Sequence, residues 1–424
     1  MSRRGPLAAF FCLGLMWGAW AALAPAVQTA VGASKGAFGL ALLFVAIGSV
    51  PAMLATGREL DRRGTRILPW LLAGFALATL LPAFVGSVPA LAASLLVVGV
   101  FTGATDVAMN AAVSELEARL QIRLMQLAHA LYSAGVLVGA LATGVAREAG
   151  AGRLEVLGGV TVALLVAAAL NLRHERRVAT PTAAAAGRPG LSRAAIPLGI
   201  ACGAAFVIEG AMENWGAIFL ERDLDASPGV SALAPAAYGG AMMLGRFSGQ
   251  WLERRVGDAF LLAGAIAIAL VGLLLAATAP NVPVAIAAFF VGGAGISIAA
   301  PVLFGAGGRL GSPEERGRAL ATVTTLGYLG FLVGPPIVGG LAEAAGLRTS
   351  FAVLALLAAA LVAAIPRLGL ERKPYVAASS AGSPAGSWRR FAGTASATSA
   401  PTPTTAAPAQ VAATSPSLKI SGVS

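Results

Sequence analysis

Long apolar runs, separated by short charged or turn-rich breaks, mark this chain from near its start to about residue 366. A helix needs about 20 apolar residues to cross the hydrocarbon core of a bilayer. Six runs of that kind lie near 7–30, 38–56, 67–86, 89–111, 125–145 and 155–172, and six more near 194–220, 230–252, 259–278, 282–306, 319–341 and 349–366. The pattern predicts an all-α polytopic membrane protein with twelve transmembrane helices. They divide into a six-helix bundle over 1–172, a cytoplasmic linker over 173–193 and a second six-helix bundle over 194–370. The tail, 371–424, is built of Ala, Ser, Thr, Pro and Gly with few large apolar residues, so it cannot bury enough surface to fold and is expected to be disordered.

Composition supports that picture and narrows the function classes. Of 424 residues, 57% are hydrophobic and only 12% charged, against about 25% charged in soluble domains. A disulfide scaffold, a disordered protein and a large extramembrane enzyme are excluded. The 53 glycines and 24 prolines suit membrane helices, where small residues let backbones approach closely. Cys12 and Cys202 stand in apolar stretches without a ligand cluster, so no metal, cofactor or disulfide is expected.

Charge sets the orientation. With twelve spans, 24 of the 30 Lys and Arg residues fall on one side of the membrane, which the positive-inside rule makes the cytoplasm. Both termini are therefore expected there, in a multi-pass protein of the cell (inner) membrane. The net charge of +11 reflects this bias and an attraction to anionic lipid head groups, not a nucleic-acid partner. Ser2-Arg3-Arg4 and Ala22-Leu23-Ala24 imitate export and cleavage signals, but the apolar run continues past them and eleven further spans follow, so the first helix is read as retained.

The halves repeat. Loop 2–3 contains Gly57, Asp61, Arg62, Gly64 and Arg66, and loop 8–9 contains Gly249, Glu253 and Arg254 at an offset of 192, with Gly257 at 193 from Gly64. Gly135-Val-Leu-Val-Gly139 in span 5 matches Gly330-Phe-Leu-Val-Gly334 in span 11 at an offset of 195. Two unrelated motifs at nearly one spacing indicate a duplicated six-helix unit. Such a parallel repeat is a plan used by secondary transporters, in which one bundle rocks against the other around a midplane site.

Over residues 7–370 the chain resembles the major facilitator superfamily, whose loop 2–3 signature is matched at Gly57, Asp61, Arg62, Gly64 and Arg66. Asp106-Val-Ala-Met-Asn110, the run from His129 to Gly135, Glu209-Gly-Ala-Met-Glu213-Asn-Trp215 and Thr324 to Gly330 resemble its bacterial fucose-permease-like branch. Relatives in that branch often carry an Arg in the first helix where Leu23 stands here. The resemblance implies that Asp61 and Arg62 hold the bundles together on the cytoplasmic side while the cavity faces out. It also implies a cytoplasmic gating role for Arg246, with Asp106 as a possible partner and Gly249, Glu253 and Arg254 as the second copy of the loop.

Charges at membrane depth are costly and mark candidate chemistry. Glu209 and Glu213 are one helical turn apart on span 7, and two carboxylates on one apolar face oppose each other's ionisation. Glu209, placed beyond the midplane, is the candidate carrier of a coupling proton; Glu213 lies nearer the periplasmic mouth, where substrate, gate and simple solvation are all open. Asp106 and Asn110 share a face of span 4 at the depth of His129, which predicts either a proton relay or a hydrogen-bonded inner gate. Trp17, Trp20, Gln28, Asn110, Asn214, Trp215 and Tyr238 combine aromatic faces with hydrogen-bonding groups, a pairing that suits a sugar and equally suits interface anchors. Pro25 is expected to break span 1, and Pro335 and Pro336 to kink span 11.

The leading reading is proton-coupled uptake of a small, sugar-like solute by a monomer, with substrate, protons and lipid as partners. Proton-coupled export of drugs or metabolites is the alternative, although Gly139 is followed by Ala140 where drug antiporters usually carry Gly-Pro. A non-transporting sensor would be expected to add a folded signalling domain. An enzyme is not expected, since no loop carries a nucleophile constellation or paired-carboxylate metal site, and no phosphate-binding loop implies ATP.

Overall fold

The computed structural model describes residues 4–122, 124–172, 191–253 and 255–370. The tail and nearly all of the linker lie outside these residues, as does Arg254; the side chain of Glu253 is likewise outside the description.

Helices follow the apolar runs closely. The first half contains α1 (Arg4–Ala30), α2 (Lys35–Arg63), α3 (Leu68–Leu80), α4 (Val88–Leu120), α5 (Met125–Glu148) and α6 (Arg153–Leu172). In the second half are α7 (Ile196–Asp223), the single turn α8 (Pro228–Ser231), α9 (Leu233–Glu253), α10 (Asp258–Thr278), α11 (Val282–Ile296), α12 (Ala299–Gly308) and α13 (Pro313–Ala364). Among the described residues, nine helical segments are long and apolar enough to cross a membrane. Two of these, Lys35–Ala83 and Glu315–Arg367, would be about 75–80 Å long if straight, more than twice a bilayer core. Each is turned once. The first turns at Gly64, which closes α2 at φ 64° by donating its N–H to Leu60 O; the second turns at Gly346, whose φ of 83° admits glycine without strain. With α9, whose hydropathy is lowered by Arg246 and Glu253, the helices account for twelve crossings.

Span 10 differs from expectation. The run over 282–306 is two helices, α11 and α12, interrupted at Ser297–Ile298. Pro301 lacks the N–H that Ser297 O would accept, which explains the interruption there. Conversely, Pro25 does not break α1, and Pro335 and Pro336 lie inside α13 without ending it.

Packing repeats between the halves. α1 lies along α5 as α7 lies along the first arm of α13, and α2 lies along α4 as α9 lies along α11. The repeated glycine motif explains the closeness. A Cβ on Gly135 would overlap Phe11 O, and one on Gly330 would overlap Gly203 O. Two seams join the halves, α2 against α13 and α5 against α9, with α1 against α7 between them. Large apolar side chains such as Leu54, Trp70, Val145 and Leu356 project outward, each about 70% exposed, as a lipid-facing surface requires. Helix ends carrying Arg58, Arg62, Arg63, Arg66, Arg119, Arg255, Arg309 and Arg316 share one end of the molecule, called here the arginine-rich end.

Candidate functional site

A cavity of about 340 Å³ lies between the halves, within the range of small-molecule sites, roughly 300–1,000 Å³. Its aromatic wall is Phe10 and Trp17 of α1, Tyr132 of α5, and Tyr328 and Phe331 of α13. Its polar wall is Ser49 of α2, Thr102 and Asp106 of α4, His129 of α5, Glu213 and Asn214 of α7, and Arg246 of α9.

Arg246 organises the centre. Its Nη2 is 3.8 Å from Glu209 Oε1, and its Nη1 donates to Ser133 Oγ at 3.1 Å. The guanidinium therefore joins a carboxylate of its own half to a hydroxyl of the other half. Ser133 is oriented for this by donating its own proton to His129 O at 3.3 Å. Glu209 sits halfway along α7, which runs on to Asp223. Glu213, one turn further, lines the cavity, and among the described residues its carboxylate has no hydrogen-bond or ion-pair partner. Tyr132 stands within electrostatic reach of Glu213, Arg246, Glu209 and Asp106.

The expected chemistry is partly rearranged. Arg246 faces the cavity and engages Glu209 and Ser133, with no hydrogen bond or ion pair to Asp106 among the described residues. Asp106 instead accepts from Asn110 Nδ2 at 3.2 Å, so Asn110 serves the carboxylate from one turn away. His129 reaches the same cavity but packs edge-on against Phe10, 5.2 Å between ring centroids, and no hydrogen bond joins it to Asp106. Of the expected substrate-cavity residues, Trp17 and Asn214 line it. Trp20, Trp215 and Tyr238 do not: they are buried in the helix packing, with Trp215 edge-on to Phe38. Gln28 lines a separate pocket at the arginine-poor end, beside Lys35, Arg222 and Glu343.

Residues missed in the sequence include Tyr132 and Ser133, three and four positions after His129 and so on its face of α5. Tyr328 and Phe331 bear the same i, i+3 relation on α13.

The arginine-poor end is closed. Arg147 of α5 makes a two-pronged contact with Glu221 of α7, at 3.0 and 3.1 Å, and donates to Ala22 O of α1 at 2.8 Å. Ser231 Oγ completes the set by donating to Glu221 at 2.9 Å. Below it, Ala22, Ala140, Ala232 and Ala236 form a small buried cluster across the same seam. Lys35 pairs with Asp223 at 3.6 Å, and Arg222 contacts Thr29. At the arginine-rich end, the ion pairs Arg63–Glu59, Arg309–Asp258 and Arg318–Glu315 each stay within one half. Gly57 has open space around it, and Asp61, Arg62 and Arg66 are exposed at that end. The cavity wall, from Phe10 and His129 near helix starts to Tyr328, lies on the arginine-rich side of the closed layer.

Fold, repeat and cavity agree with the comparison to known proteins. The chain belongs to the major facilitator superfamily, whose family profile matches residues 7–274 and 198–416. It is 33% identical over 361 residues to an uncharacterized MFS-type transporter of Yersinia pestis, covering 82% of this chain and 91% of that one. It is 28% identical to the membrane protein MosC of Rhizobium meliloti, covering 86% and 88%. Among solved structures, a mutant of the nucleoside transporter NupG shares the fold at a TM-score of 0.73 and 13% identity, covering 86% of this chain and 99% of that one. A bacterial homologue of the lysosomal transporter Spinster, in an inward-facing and occupied conformation, shares it at 0.67 and 15%, covering 87% and 97%. The protein is thus a multi-pass secondary transporter of the membrane and not an enzyme.

Proposed function

We propose that this transporter carries a small, sugar-like polar solute into the cell together with protons, as a monomer in the cytoplasmic membrane. The arginine-rich end and both termini face the cytoplasm in this reading, and the cavity is open inward. The bundles 1–172 and 194–370 rock about the site, linked through 173–193. When the cavity faces outward, Asp61, Arg62, Arg66 and the second copy of the loop clamp the cytoplasmic side. The fucose-permease-like motifs point to a sugar, and the aromatic wall with Asn214, Thr102 and Ser49 offers the stacking faces and hydrogen-bonding groups that a sugar ring uses.

The observation that carries the reading is the Arg246 junction. While Glu209 is ionised, it holds the guanidinium; once protonated, it releases that charge toward Ser133 and the solute, so proton and solute binding become linked. Glu213 and Asp106 stand by as further proton acceptors, with His129 at the inner rim.

One observation favours the export reading as a second possibility. Asp106 and Glu213 line the cavity without an ion-pair partner among the described residues, and Arg246 is already paired with Glu209, an excess of negative charge that suits a cationic solute exchanged against protons. Currents from proteoliposomes on a solid support separate the two readings. The panel is sugars, nucleosides, amino acids and organic cations, and wild type is compared with Glu209→Gln. Uptake predicts that a neutral sugar or nucleoside drives inward proton current in wild type and none in the variant, with solute binding retained. Proton entry driven only by an outward gradient of cations would replace uptake with export. A current undiminished in Glu209→Gln would remove that residue as the carrier.

A further inference from the structure

Beyond the Arg147–Glu221 contact, the arginine-poor end is tied by two bonds that are copies of each other. Glu148, the last residue of α5, accepts from the backbone N–H of Gly229, in the turn that leads into α9, at 2.7 Å. Glu343, one turn before the reversal at Gly346, accepts from the backbone N–H of Gly36 in the first turn of α2 at 3.2 Å. Gly36 and Gly229 are 193 positions apart, and Glu148 and Glu343 are 195 apart, the spacing of the duplicated unit. The two bonds sit one on each seam, α5 with α9 and α13 with α2, and each crosses from one half to the other. In both, a carboxylate near the end of one helix accepts from a backbone N–H that lacks an intrahelical partner at the start of another segment; for Gly36 that segment is the long helix α2, whose dipole adds to the attraction, and for Gly229 it is the single turn α8.

We propose that Glu148 and Glu343 are a duplicated pair of positioning residues that hold both seams shut at this end, so that the pair sets how often the transporter opens there. Neither touches the cavity; they act on transport through the seam helices. The inference needs alternating access but not the identity of the solute or the coupling ion, so the outcome of the current measurements does not bear on it.

The test uses cysteine reporters in a background with Cys12→Ala and Cys202→Ala. Ala236→Cys reports the closed seam, where Ala236 is only 2% exposed, and Val50→Cys reports the cavity, where Val50 is 43% exposed. Maleimide modification rates in the purified full chain are compared for Glu148→Gln, Glu343→Gln and the double variant. Glu155→Gln is the control, because Glu155 at the same end accepts from the nearby Gly152 N–H and, among the described residues, from no residue of the other half. Each single variant is expected to speed modification of Ala236→Cys about two- to fivefold, and the double variant by about the product of the two. Modification of Val50→Cys slows in step as molecules leave the present state. The proposal is overturned if Ala236→Cys is no faster in the double variant, if Glu155→Gln does the same, or if both reporters speed up together. The last result would mean a loosened fold and not a shift between two faces.

Discussion

Arg246 has to satisfy two oxygens in different directions, Glu209 at 3.8 Å and Ser133 at 3.1 Å, and a planar guanidinium can do so with separate nitrogens. A lysine offers one ammonium, so Arg246→Lys keeps the charge but is expected to lose one of the two links. Transport should fall about tenfold or more in that variant, and about tenfold in Ser133→Ala, which removes the buried hydroxyl that accepts from the guanidinium. Initial rates of proton-coupled flux check both, and equal activity in all three proteins would dismiss the junction. At this scale the sequence told more about charges than about aromatics. Glu209, Glu213, Asp106 and Arg246 could be picked out because an ionisable group inside an apolar run has few structural excuses. Trp20, Trp215 and Tyr238 could not be sorted from Trp17, because an aromatic side chain reads the same whether it faces a cavity or fills the packing between helices.

Helix pairs depend on which glycine of a motif meets the neighbouring backbone. Gly330 and Gly334 look equivalent in sequence, yet a Cβ at Gly330 would run into Gly203 O, whereas one at Gly334 would sit 3.4 Å from Val207 Cα, an ordinary contact. Gly330→Ala should therefore lower stability by about 1–3 kcal/mol, as overpacking does, while Gly334→Ala stays close to wild type. Thermal unfolding of the two purified variants in detergent decides this; similar melting temperatures would contradict the packing described. The element boundaries were legible because apolar runs and bilayer thickness constrain them together. What could not be read was the interruption at Ser297–Ile298, where Pro301 acts inside a continuous apolar run, and the persistence of α1 through Pro25. A proline states that a backbone donor is missing but not whether the surroundings absorb the loss.

For the molecule as a whole, the duplication and twelve crossings were readable, since they leave a period in the chain. The conformational state was not. A transporter sequence must support more than one arrangement of the same helices, so nothing in it says which face is shut. The structure shows the arginine-poor end shut, with Arg147 and Glu221 only 7% and 18% exposed and bonded in a two-pronged geometry. Arg147→Ala leaves Glu221 without its cation in a mostly buried setting, and breaking a pair there is costly to the closed arrangement. Spin labels placed across that end should show a new, longer distance population in Arg147→Ala and little of it in wild type. An unchanged distance distribution would mean that closure rests elsewhere.

The alanine cluster beneath that lock carries a consequence of its own. Ala22, Ala140, Ala232 and Ala236 offer one methyl group each, and a buried carbon of this kind contributes about 0.8 kcal/mol, so oil-like adhesion across the seam is thin. Closure there leans on charges, and the exposed ones, Glu148 on Gly229 and Glu343 on Gly36, weaken as electrolyte accumulates, while the mostly buried Arg147–Glu221 pair is screened far less. Brackish surroundings would leave the cavity chemistry untouched and still alter how long the door stays shut.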